Sequence, residues 1–330
     1  MKLSKLIFYI TLILGSMISI SSNSWFGMWM GLEINLLSII PLMNNKINSS
    51  KSEASMKYFI VQALASSILL FSIIMLMKEF INNNLIMLMI NTSLLTKMGA
   101  APFHFWFPEV MDGLDWINNF IILTWQKLAP LIILTYNISN NIFIYIIIIS
   151  CMIISGFMGF NQISLRKLMA YSSINHTGWM ISSISYCKQS MIMYISSYSL
   201  MNLSLIMIFM MYNSFYIQHM FFSMKTLIMK FILIFNIMSL GGLPPFLGFF
   251  PKWVVIYSLM TNNHIILTFL MMMLTLITLF YYIRIIYIFM IMNSNNFNYK
   301  INSFTNKFKF YSSNMISIIS LLSISLIYMF

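Results

Sequence analysis

Apolar runs of near-spanning length follow one another from end to end of this chain, separated by short stretches rich in Asn, Ser and Lys. A helix needs about 20 mainly apolar residues to cross the hydrocarbon core of a bilayer. On that measure the pattern predicts about eleven crossings. They fall over roughly 5–21, 25–43, 57–78, 84–98, 117–137, 142–161, 168–187, 191–212, 225–260 (broken), 264–291 and 312–329. The expected fold is an all-α polytopic membrane protein. No stretch is polar enough for a soluble domain, and none reads as a linker between domains.

The pattern is disturbed most between Lys97 and Pro130. Lys97 closes an apolar run, and Gly99 and Pro102 then break the helix. An acidic, aromatic turn follows, and a second apolar run carries Lys127 near its middle. A charged side chain at the centre of a spanning helix costs roughly 2.5–3.5 kcal/mol on insertion scales. Two of them flanking a helix break call for a function.

A weak internal repeat surrounds that break. Gly99, Pro102 and Phe103, then Phe107-Pro108-Glu109, recur as Gly242, Pro245 and Phe246, then Phe250-Pro251-Lys252, at a constant offset of 143. The copies lie five predicted spans apart, and an odd number inverts the second relative to the first. Inverted repeats with broken helices in corresponding places point to an ion path at mid-membrane. The competing reading is a chance recurrence of a Gly-and-Pro breaker pattern.

Composition narrows the class. The chain has 330 residues, 60% hydrophobic and 7% charged, whereas a soluble protein carries about a quarter charged residues. Its net charge of +12 suggests neither nucleic acid nor a membrane-surface protein, because the bases sit in short loops. Cys151 and Cys187 offer neither a disulfide framework nor metal spacing. The 34 Met and 29 Phe against 11 Gly and 2 Arg read as an AT-rich coding bias of the organellar kind. Met1-Lys2-Leu3-Ser4-Lys5 before an apolar run has no small-residue cleavage site after it, so a retained first span is expected.

Loop charge sets the expected direction. Lys2, Lys5, Lys46, Lys51, Lys57, Arg166, Lys167, Lys225, Lys300, Lys307 and Lys309 fall on the N-terminal side, against Lys78 and Lys188 on the other. Eleven against two places the N-terminus in the compartment of synthesis and the C-terminus on the far side.

Five cations then remain at depth: Lys97, Lys127, Lys230, Lys252 and Arg284, with one acid, Glu33, near the middle of the second span. Lys230 and Arg284 lie near span ends and are expected to snorkel. Gly27 and Gly31 give the second span a small-residue face, which should turn Glu33 into the bundle. Unit charges about 7 Å apart at an effective dielectric near 20 interact by roughly 2.4 kcal/mol. Moving one charge across 100 mV takes about 2.3 kcal/mol. Switching one neighbour can therefore decide whether a buried amine keeps its proton, and a row of such groups makes a proton relay. Asp112 and Asp115 are expected to cap the helix starting near Trp116. His176 is either a proton carrier or a hydrogen-bonded packing residue. His104 is placed to line an entrance, and His219 and His264 read as loop residues.

The segments KMGAAPFHFWFPEV, LTWQKLAP, LRKLMAYSSINHTGWM, GGLPPFLGFFPKW and WMGLEINLLSIIPLM resemble, in order and over nearly the whole length, the antiporter-like membrane subunits of mitochondrial NADH–ubiquinone oxidoreductase, respiratory complex I. The skewed composition resembles that of an arthropod mitochondrial gene. The resemblance implies two inverted five-helix repeats, 1–140 and 141–291, then a matrix loop 292–311 and a C-terminal helix 312–330. It implies a proton-pumping role in the membrane arm of the complex, in the mitochondrial inner membrane, with the basic side as matrix and the C-terminus in the intermembrane space. Glu33 and Lys97 match the family's coupling pair, Lys127 its central lysine, and Lys252 the lysine of the second broken helix. His176 falls where a polar link is expected. The resemblance further implies no cofactor in this chain, with NADH, FMN, iron–sulfur clusters and ubiquinone held by other subunits. Its partners would be other membrane-arm subunits and lipids such as cardiolipin. A free-standing cation/proton antiporter and an assembly scaffold with vestigial charges are the rival readings.

Overall fold

A computed structural model describes residues 3–44, 48–77, 83–137, 141–185, 188–224 and 227–291. The predicted eleventh span and Lys2, Lys46, Lys78, Cys187, Lys225, Lys300, Lys307 and Lys309 lie outside the described residues. Within them the secondary structure is helical, joined by one isolated antiparallel bridge between Ser164 and Tyr216. Seven helical stretches are long and apolar enough to cross a membrane. The predicted spans at 84–98, 168–187 and 225–260 do not reach that measure. The first is one continuous helix of 16 residues that stops at the Gly99 bend, the third is divided by a break, and the second is rich in Ser, Asn and His. Packing divides the chain into two compact units, one ending at Cys151 and the other beginning at Met152.

The first unit opens with α1 (Leu3–Ser21) and α2 (Trp25–Met43), the latter started where the Gly27 N–H donates to Ser24 Oγ at 3.2 Å. α1 and α2 pack backbone to backbone: a Cβ on Gly31 would lie 2.5 Å from Ser19 N, and one on Gly15 2.9 Å from Asn35 N. Gly27, expected to share this face, instead abuts Ser22 and Ser24 at its own turn. Replacing Gly31 with valine should force the two helices apart and destabilise the unit by about 1–3 kcal/mol. A lowered melting temperature of the purified assembly checks this, and an unchanged one would contradict the packing.

α3 (Ser49–Met77) begins eight residues before the predicted 57. Its polar first turns stay helical because ion pairs hold them: Lys57 reaches Glu53 and Glu109, both at 2.8 Å, and Lys51 pairs with Asp115. Lys51, read as a loop base, is thus buried. α4 (Asn83–Met98), α5 (Trp106–Gly113), α6 (Trp116–Leu123), α7 (Trp125–Leu134) and α8 (Asn141–Phe160) follow. Asp115 stands at the N-cap position of α6 without a side-chain cap bond, because its carboxylate is turned to Lys51. Asp112 lies inside α5, not at the start of α6. The predicted single span 117–137 is two helices, interrupted at Thr124, whose Oγ1 donates to Phe120 O at 2.7 Å.

The second unit takes the end of α8 and then α9 (Leu165–Ile184), α10 (Lys188–Tyr212), α11 (Ile217–Ser223), α12 (Leu227–Gly241), α13 (Phe249–Thr261) and α14 (Ile265–Ile291). His219, read as a loop residue, belongs to α11. α9 is buried along nearly its whole length although it carries Ser172, Ser173, Asn175, His176 and Thr177. Its hydroxyls are reconciled with burial by donating back three residues, as Ser172 does to Met169 O at 2.8 Å and Thr177 to Ile174 O at 2.7 Å.

Candidate functional site

The two repeat copies make the same backbone bend. Gly99 has φ +70° and Gly242 φ +76°, the left-handed region that a Cβ strains. The Gly99 N–H donates to Thr96 O at 3.1 Å and that of Gly242 to Ser239 O at 3.1 Å. Four residues on, the Phe103 N–H reaches Ala100 O at 2.8 Å and that of Phe246 reaches Leu243 O at 2.9 Å. All four residues in each copy hold the offset of 143 read from the sequence. A pair of hydrogen bonds in one register makes the repeat structural, against chance recurrence.

The bends are filled differently. In the first unit the Phe107 ring lies under Gly99, where a Cβ would come within 2.9 Å of it, and Lys127 Nζ stands 4.9 Å from the centroid of the same ring. Lys127 is 3% exposed, carried three residues past the Thr124 interruption. Cys151 is its neighbour and also accepts the Ala101 N–H at 3.2 Å, tying α8 to the break. In the second unit the stem of Lys252 occupies the open face of Gly242, and its Nζ donates to Gly241 O at 2.8 Å. The ammonium thereby satisfies a carbonyl at the end of α12, as a cation near a helix C-terminus should. It also stands 6.0 Å from the centroid of the Trp179 ring, three residues along α9 from His176.

Glu33 and Lys97 are brought together. Glu33 is half-buried on α2, and its charge acts on Lys97, which is 7% exposed at the end of α4. No ion pair joins them among the described residues, and Glu33 Oε2 is buried without a hydrogen-bond partner. Beside Lys97 lies a small cavity with about 10 Å³ open to water, lined by Asn35, Tyr58, Gln62, Gln126 and apolar neighbours. That is room for about one water molecule. Gln126 Nε2 donates to Asn35 Oδ1 at 2.9 Å, and Gln62 Nε2 to Lys97 O at 3.3 Å, so the polar lining is held in place. Gln126 turns to this cavity and the next residue, Lys127, to Phe107, as a turn of about 100° per residue requires.

His176 is 1% exposed, with Nδ1 2.8 Å from Tyr194 Oη and its ring 4.9 Å from that of Tyr198. His104, expected at an entrance, is buried, and its Nδ1 lies 3.2 Å from Pro102 O inside the break. Lys230 lies over the Phe221 ring, and Arg284 reaches the Phe160 carbonyl at 3.2 Å near the ends of their helices, outside the polar interiors.

Sequence reasoning missed the tyrosines and amides around His176. Tyr194, Tyr198, Asn202, Tyr281 and Tyr282 are all buried. The signal was available in Asn202, an amide inside an otherwise apolar crossing.

Residues 22–278 match the family model described as NADH:quinone oxidoreductase/Mrp antiporter, TM. A relative from Anopheles gambiae named NADH-ubiquinone oxidoreductase chain 2 is 50% identical over 99% of this chain and 98% of its own. Among solved structures, a chain of respiratory complex I from Thermus thermophilus with bound aureothin superposes with a TM-score of 0.86 at 18% identity, over 98% of this chain and 79% of that one. A chain of the Mrp complex from Dietzia sp. DQ12-45-1b gives 0.74 at 15% identity, over 84% and 59%. The last two establish likeness of fold.

Proposed function

This chain belongs to the NADH:quinone oxidoreductase/Mrp antiporter family of transmembrane subunits, and on that premise we propose the residues by which it moves protons. It is a multi-pass, proton-translocating subunit of the membrane arm of respiratory complex I, in the mitochondrial inner membrane. In our reading the basic loops face the matrix and the C-terminus the intermembrane space. This chain binds no redox cofactor: NADH, FMN, iron–sulfur clusters and ubiquinone belong to other subunits, and lipids such as cardiolipin cover its outer faces.

The first unit loads the proton. Glu33 holds it or gives it up according to the charge on Lys97, and the water-sized cavity beside Lys97 offers the relay a stepping stone. Lys127 is the store, an amine out of lipid contact that can exist in two protonation states. The second unit discharges it, through His176 to Lys252, whose ammonium returns to the Gly241 carbonyl each time it is recharged. Redox chemistry elsewhere in the complex drives the cycle by changing the charge that the first unit meets.

The observation that carries this reading is the relation of Glu33 to Lys97. A structural ion pair would close to hydrogen-bonding distance; here an acid with a buried, unpartnered oxygen acts on a buried amine from farther away. Such a pair can change state without breaking a contact. Replacing Glu33 with glutamine keeps size and polarity and removes the charge. In the assembled complex this should lower the protons moved per NADH oxidised while electron transfer continues. An undiminished proton-to-electron ratio would remove Glu33 from the path.

A further inference from the structure

A cleft of about 160 Å³ opens in the second unit at the end that carries Arg166 and Lys167. Gly159, Gln162, Leu168, Gln218, Tyr281 and Arg284 line it. Its rim is fixed by the Ser164–Tyr216 bridge, in which the Leu165 N–H donates to Phe215 O at 2.9 Å and the Ile217 N–H to Ile163 O at 3.3 Å. Tyr281 forms the inner wall. It reaches that position because Gly159 has no side chain: a Cβ there would lie 3.0 Å from the tyrosine ring.

Behind Tyr281 the interior is polar. The Tyr281 and Tyr282 rings stand 4.4 Å apart, and their buried hydroxyls are hydrogen-bonding neighbours of one another. Tyr282 Oη lies beside Ser172, whose own hydroxyl donates to Met169 O and leaves its oxygen able to accept. Asn202 is 0% exposed, and Tyr198 is its hydrogen-bonding neighbour. Tyr198 in turn faces the His176 ring. Buried amides and hydroxyls almost always find partners, in protein or in ordered water. Several of them gathered in a single cluster, each with capacity for a further bond, supply the two to four polar contacts that an internal water needs.

We propose that Ser172, Tyr198, Asn202, Tyr281 and Tyr282 line a hydrated branch running from the cleft beside Arg284 to His176, a second proton entrance into this chain that does not pass through Glu33, Lys97 or Lys127. Protons travel by exchange: each water or tyrosine oxygen accepts a proton on a lone pair and releases its own hydrogen to the next oxygen. Every hydroxyl is restored, and the net transfer is one proton from the cleft to the imidazole. Arg284 stacks on Phe160 at the mouth, where its charge disfavours metal cations while neutral water enters. The branch rests on the proton-moving role proposed above.

Two measurements on the assembled complex decide it. Ser172→Cys, nearly isosteric, is treated with a small uncharged methanethiosulfonate, which the Arg284 charge does not exclude, and modification is read by mass spectrometry of the peptide. The hydrated branch predicts a rate within about tenfold of Gln162→Cys at the mouth, since thiol reactivity follows access. Ser172→Cys that labels as slowly as Ser155→Cys, buried in α8, would overturn the proposal. Tyr282→Phe keeps the ring and removes the hydroxyl. It should reduce proton transfer through this chain severalfold, and an unchanged ratio with Ser172→Cys readily labelled would show a wet branch that does not conduct, which also overturns it. Labelling does not depend on pumping. Loss of the Glu33 role would therefore leave the hydration result intact, and a dry branch would leave the Glu33 role intact.

Discussion

Replacing Lys127 with methionine is expected to stop proton transfer through this chain while leaving the complex assembled and oxidising NADH. Methionine is unbranched and flexible, so it can fill the space beside the Phe107 ring and leave α7 packed as it is. Only the titratable nitrogen is lost. That nitrogen sits 4.9 Å from the ring centroid on a side chain 3% exposed, so bulk water is no ready substitute. Removing a positioned proton carrier typically slows transfer by 10²–10⁴-fold, and flux through this chain should fall by at least roughly 10²-fold. The assay is the ratio of protons moved to electrons passed in sealed membranes, which should drop by the share this chain contributes. A ratio equal to that of the unsubstituted complex would make the buried lysine a fossil and favour the scaffold reading.

Gly248→Ala is expected to be the most damaging single-methyl change in the second unit. A Cβ at Gly248 would stand 1.8 Å from the carbonyl oxygen of Ser239 and 2.9 Å from its carbon. The obstacle is backbone, held by the Gly242 N–H to Ser239 O bond that forms the bend, and no rotamer change relieves it. Overpacking usually costs about 1–3 kcal/mol. Here either α12 and α13 must separate or the bend must open, and both displace Lys252 from Gly241 O. The expected outcome is loss of the chain from the assembled complex, measured by its recovery relative to neighbouring subunits. Normal recovery would mean that the approach of Gly248 to Ser239 does not govern the bend.

Much of this was legible in the residues, for reasons that differ from place to place. The bends at Gly99 and Gly242 show in the sequence because left-handed backbone inside a lysine- or proline-flanked apolar run leaves little choice but glycine. Lys97, Lys127 and Lys252 show because charge in such runs is costly. The interruption at Thr124 left no such mark: threonine is unremarkable in a spanning helix, and its effect comes from where its hydroxyl bonds. The pairing of Lys51 with Asp115 and of Lys57 with Glu109 joins residues 64 and 52 positions apart, and no local pattern announces it. Asp115 looked like a cap for that reason, since local rules see only the helix it precedes. The polar cluster around His176 draws on α9, α10 and α14, and each tyrosine alone reads as one more aromatic in an apolar run.

The shared bend has a design consequence. Both breaks keep the same glycine geometry and the same pair of main-chain bonds, yet one is stoppered by an aromatic ring and the other by an aliphatic amine. The hinge and its plug are thus independent modules. Lineages, or engineers, can relocate the titratable group within such a chain by swapping plugs, with the scaffold that kinks the helix left untouched.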